Sequence, residues 1–98
     1  MNIEQKKIGD ALTIALEGHL DTTTAPDLEK ELKESLEGVS ELVLDFAGLD
    51  YISSAGLRVL LSAQKIMNCR DGMKLKNVNE TIMEIFEVTG FSDILTIE

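Results

Sequence analysis

Leu12, Ile14 and Leu16 recur at every second position, and this period of two predicts a strand over residues 11–17. Ile3 and Ile8 mark a weaker edge strand near residues 2–7, joined to it through a turn at Gly9 and Asp10. The period then lengthens. Leu28, Leu32 and Leu36 stand four apart, a single apolar stripe on a helix, with Glu29/Lys33 and Lys30/Glu34 as charge pairs on its wet side. Thr24 followed by Asp27 is a capping-box-like start, Pro26 fits the first turn, and Gly38 ends the helix. "ELVLDF" (41–46) predicts a short central strand covered on both faces. A second helix over 54–70 has Leu57, Leu60, Leu61, Gln64 and Met67 on one face, widened by Val59, Ala63 and Ile66. Met73 and Leu75 alternate with Lys74 and Lys76 in a strand over 73–78. Asn79 caps a third helix bearing Ile82, Ile85 and Phe86, Gly90 stops it, and "DILTI" (93–97) closes the chain as a strand.

The order β-β-α-β-α-β-α-β, with strands separated by helices, implies parallel crossovers and a mixed sheet begun by a hairpin. The fold class is α/β, and residues 1–98 form one domain without repeat or linker.

Composition narrows the function. Nine basic and eighteen acidic residues leave a net charge of −9, which argues against nucleic acid or anionic lipid as a partner. No apolar run is long enough to span a membrane, and the N-terminus lacks the apolar stretch of a secretory signal, so the cytoplasm is the expected compartment. The single cysteine, Cys69, has no disulfide partner and is expected to be a buried, inert thiol.

The chemistry-bearing stretch is "DYISSAGLRVLL" (50–61). Ser53 and Ser54 lie where a strand gives way to a helix, the end of an α/β sheet at which ligands gather. One serine suffices as an N-cap; the unpaired amides of a first turn also favour an anion, so a phosphate on a serine here would be stabilised by the fold. Gly56 costs helix propensity, which a close-approaching partner or tight helix–sheet packing would explain equally. Asp21, Asp45 and Asp50 are the carboxylates that could gather near Ser54, but turn and loop chemistry accounts for them as well, and no metal site is expected. His19 is the only base for a nucleophilic serine, and the glycine frame of a hydrolase elbow is absent. There is no phosphate-binding loop or dinucleotide fingerprint, and no cofactor is expected.

The whole chain resembles the STAS domains, and among them the stand-alone anti-sigma-factor antagonists of bacterial partner-switching systems. The resemblance is carried by "GHLDTTTAPDL" (18–28), "LDFAGLDYISSAGLRVLL" (44–61) and "IFEVTGFSDIL" (85–95), in order over nearly all of the chain. It implies a small mixed sheet with helices against it and a protein that is not an enzyme. It implies binding to an anti-sigma factor that is also a serine kinase of the GHKL type, and reversal by a PPM-type phosphatase. The acceptor implied is Ser54, with Ser53 second. The partner-binding set is Asp21, Asp50, Ser53, Ser54, Ala55, Gly56 and Leu57, and the chain is expected to be a monomer outside its complexes. Ser53 stands where the family usually has aspartate, and His19 where it often has an acidic residue. Two other readings remain open: a non-switching adaptor subunit of a transporter or signalling complex, and a hydrolase using Ser54 and His19.

Overall fold

Five strands and three α-helices follow one another in a computed structural model of residues 1–98. They are β1 (Asn2–Ile8), β2 (Ala11–Leu20), α1 (Ala25–Ser35), β3 (Glu41–Ile52), α2 (Ser54–Asn68), β4 (Gly72–Lys76), α3 (Glu80–Thr89) and β5 (Thr96–Ile97), with a 3-10 turn at Phe91–Asp93. The strands lie side by side in chain order, β1 antiparallel to β2 and the other neighbours parallel. The mixed α/β sheet expected from the pattern is present.

This topology fixes where the core lies. Right-handed crossovers that step steadily in one direction across a sheet place every helix on the same face. Accordingly Leu12, Ile14, Leu16, Leu42, Leu44, Phe46, Met73 and Leu75 are buried beneath the helices. Their alternates Thr13, Ala15, Val43 and Asp45 are only half-buried, and Lys74 and Lys76 are exposed. The expectation that β3 is covered on both faces is therefore corrected: it is covered on one.

β3 is also twice as long as "ELVLDF" suggested. Its buried positions run Leu42, Leu44, Phe46 and then Leu49, Ile52, so the spacing changes from two to three. The register against β2 shows why. Ala15 pairs with Asp45 but Glu17 with Gly48, and Gly18 with Leu49 but His19 with Tyr51, so β3 carries an extra residue at each of two bulges. Each bulge slips the strand by one residue and returns an apolar side chain to the core. "AGLDY" is thus strand rather than loop.

The helices bear out their stripes. Leu28, Leu32 and Leu36 are buried, and Glu29 pairs with Lys33 at 3.2 Å. On α2, Leu57, Val59, Leu60, Ala63, Gln64 and Met67 are buried, whereas Leu61 is only half-buried and Ile66, 44% exposed, sits on the outer flank. Asn79 caps α3 through Oδ1, which accepts from the Ile82 amide at 2.8 Å, and Nδ2 donates to the Leu49 carbonyl at 2.9 Å. Gly90 ends α3 at φ 82°, the left-handed geometry that glycine adopts without strain. Phe46 and Phe86 meet with ring centroids 6.4 Å apart, fixing α3 to β3. The Arg70 guanidinium donates to the carbonyl of Leu36 and, at 2.8 Å, to that of Val39, tying the end of α2 to the end of α1.

Three local expectations are corrected. Cys69 is exposed, because it lies two residues beyond the buried Met67, a rotation of about 200° to the opposite side of the helix. Thr24 occupies the N-cap of α1 but makes no side-chain cap, its hydroxyl donating instead to the His19 carbonyl at 2.8 Å. The final strand is two residues long, since the 3-10 turn occupies most of the stretch before it.

Candidate functional site

The site lies where β3 delivers the chain into α2. Ser53 is extended (φ −100°, ψ 177°); its amide donates to the Leu20 carbonyl at 2.8 Å and its carbonyl accepts from the Leu57 amide at 3.0 Å. Backbone bonds therefore lock the start of α2 to the end of β2. The two serine hydroxyls are then treated oppositely. Ser53 Oγ is buried, caps nothing and has no hydrogen-bond partner. Ser54, the first residue of α2, is exposed.

Gly56 and Leu57 face inward. A Cβ on Gly56 would stand 2.7 Å from Ile52 Cγ1 and 2.8 Å from Leu20 Cγ, both side chains fully buried. The second explanation of this glycine, tight helix–sheet packing, is the one the structure supports, and Gly56 leaves no clearance for a partner. Asp50 is exposed and Ala55 half-buried beside Ser54. Sequence reasoning missed two neighbours, Tyr51 and Arg58. Tyr51 is 47% exposed at the end of β3, and Arg58 is exposed one turn after Ser54. An aromatic flanking the quoted serines was the available signal, hidden because "AGLDY" reads as a loop.

The carboxylates are occupied elsewhere. Asp21 Oδ1 accepts from the amides of Thr23 (2.9 Å) and Thr24 (3.1 Å) and closes the turn into α1. The Thr24 amide, ahead of that of Thr23 and the Thr24 hydroxyl, holds the Asp21 carboxyl below the usual carboxylate range, with His19 adding a small attraction. Asp45 Oδ1 accepts from Asn77 Nδ2 (2.9 Å) and the Ala47 amide (2.9 Å), at the first bulge of β3. The Asn77 bond, then the Ala47 amide, likewise lowers its pKa. No three His, Cys, Asp or Glu side chains converge as a metal site would require. His19 is exposed and its ring hydrogen-bonds to neither serine.

Asp45 gives a pH prediction whose sign follows from that lowering. Its stabilising contribution is complete above the unfolded value of about 3.9 and is lost as pH falls through the lower folded value. Urea midpoints are expected to fall as pH drops below about 4. Asp45→Asn, which keeps an oxygen for the Ala47 amide, should flatten part of that fall; Asp21 supplies another part in the same direction. An unchanged pH profile in Asp45→Asn would remove Asp45 from this account.

A sheet with all its helices on one face, and an exposed serine opening the second helix, define a small α/β domain. The STAS domain family matches residues 2–98, and the chain belongs to that family. It is 36% identical to the putative anti-sigma factor antagonist BtrV of Bordetella bronchiseptica over 99% of its own length and 85% of that protein. It is 28% identical to the anti-sigma-B factor antagonist of Bacillus subtilis, covering 99% of this chain and 90% of that one. Among solved structures it matches the Bacillus cell fate determinant SpoIIAA in the phosphorylated form with a TM-score of 0.76. That match has 17% identity and covers 99% of this chain and 91% of the other, a likeness of fold. No helix is long and apolar enough to cross a membrane.

Proposed function

We propose that this chain is an anti-sigma-factor antagonist, a protein-binding module whose docking surface is centred on Ser54 and switched by phosphorylation there. The observation that carries the reading is the contrast between the serines: Ser54 is in solvent at the head of α2, and the Ser53 hydroxyl is buried. A kinase reaches only a hydroxyl that can enter its active site. The names of the relatives at 36% and 28% identity support the antagonist role.

The partner on this reading is an anti-sigma factor with serine kinase activity of the GHKL type, and a PPM-type phosphatase restores the free hydroxyl. Asp50, Tyr51, Ser54 and Arg58 form the exposed part of the docking surface with half-buried Ala55 among them, while Ser53, Gly56 and Leu57 shape it from beneath and Asp21 holds the adjoining turn. A phosphoserine brings about −1.5 to −2 charge into a surface that must be desolvated when the partner docks, on a chain already carrying −9. The chemistry of the switch belongs to the partners; this chain presents and withdraws a surface.

The test is intact mass followed by peptide mapping of the protein taken from its host in growth and in starvation. A single phosphate localised to Ser54, varying with condition, is the expected result. A phosphate on Ser53 would displace the assignment, and absence of phosphate in every condition would turn the reading toward a permanent partner.

A further inference from the structure

Arg58 is a cation without an assigned contact. It lines a shallow groove between α1 and α2 of about 190 Å³ with Pro26 and Glu29 on one side and Ala55, Val59 and Ser62 on the other, and it is the only basic side chain there. It makes no ion pair or side-chain hydrogen bond. The carboxylate across the groove, Glu29, is engaged by Lys33 at 3.2 Å. An exposed guanidinium opposite an occupied carboxylate, on a chain of net charge −9, is free to take an anion that arrives later.

Its place on α2 says where that anion would be. Four residues advance a helix by about 400°, so Arg58 lies only about 40° around from Ser54 and about 6 Å along the axis. Side chains on a helix lean toward its N-terminus, so a guanidinium at position 58 can reach back over the turn that Ser54 opens. A fork of N–H donors matches phosphate oxygens bidentately. We infer that Arg58 holds the phosphate once Ser54 carries it, pinning it across the first turn of α2 and over Ala55. The inference rests on the reading of Ser54 as the acceptor. Its consequence is that the phosphate becomes a fixed obstacle on the docking surface. Unpinned, it could swing into water while a partner docked beside it.

The experiment installs phosphoserine at position 54 of the full chain by genetically encoded incorporation, so that no kinase is needed. The ³¹P resonance is then titrated in the parent, Arg58→Lys and Arg58→Gln. In the parent the second phosphate ionisation should lie below the ordinary value of about 6. Arg58→Gln should raise it by about half a unit and Arg58→Lys by less, because an ammonium supplies the charge without the fork. His19, Asp50 and Glu29 are the same in all three proteins, so the difference isolates position 58. Coincident titrations in the parent and Arg58→Gln would overturn the inference. Failure of a kinase to modify Ser54 would overturn the reading of the acceptor and leave the ³¹P comparison standing. Arg58 is exposed on the helix surface, and matching circular dichroism of the three proteins confirms that folding is unaffected.

Discussion

Ser54→Ala is expected to bind the anti-sigma kinase at the affinity of the unmodified parent and to keep it under conditions that release the parent. Ser54→Glu should bind at least about tenfold more weakly, a cost of about 1.4 kcal/mol, because it places one permanent charge where the partner docks. The phosphorylated parent should lose about a hundredfold, close to 3 kcal/mol, since its charge is larger and its oxygens demand more solvent. Ser53→Ala should be phosphorylated normally, because its hydroxyl is buried and bonded to nothing. Calorimetric titration of the four proteins with the kinase, with and without ATP, checks all of this. A Ser54→Ala protein that still takes up a full phosphate would transfer the acceptor role to another hydroxyl.

The second large effect is on stability. Gly56→Ala puts a methyl 2.7 Å from Ile52 Cγ1 and 2.8 Å from Leu20 Cγ, inside van der Waals contact. Neither neighbour has room to retreat, for Leu20 and Ile52 are 0% and 1% exposed. Overpacking of this kind costs about 1–3 kcal/mol, against about 1 kcal/mol gained when alanine replaces glycine in a helix. The net for Gly56→Ala is a loss of about 1 kcal/mol, seen as a melting temperature lower by about 4–8 °C in a domain of this size. Gly56→Val should cost more than about 3 kcal/mol, because its branches meet the same two side chains and β-branching gives back less propensity. A Gly56→Ala protein as stable as the parent would show that the helix settles outward at no cost. In that case Ser54 moves with it, and partner affinity should fall even where stability does not.

The helices were legible because their signals are local. A stripe of leucines four apart, Asn79 ahead of an apolar run and Gly90 behind it each act through groups within a few residues, and all three behave as read. The missed features depend on distant partners. The second half of β3 lost its alternation to two bulges, which are visible only against β2. Gly56 left clearance for a visitor and tight packing equally open because Leu20, thirty-six positions earlier, is not near it until the chain folds. The choice between Ser53 and Ser54 could be drawn from the family resemblance but not from spacing: adjacent hydroxyls differ only once the strand's exit angle buries one of them. Tyr51 and Arg58 escaped notice for the same reason, each being ordinary until the fold sets it beside Ser54.

The uneven support of β3 has a mechanical meaning. Pairing with β4 stops at Asp45, while pairing with β2 runs on to Ile52. Beyond Asp45 the strand's backbone is hydrogen-bonded along one flank by β2 and on the other by a single side-chain amide, from Asn79 to Leu49, while Phe46 packs on Phe86 of α3. β2 alone pairs with the backbone of this segment to its end. Mutations along residues 16–20 should therefore disturb the seating of Ser54 most, since Leu20 itself accepts from the Ser53 amide and stands against Gly56.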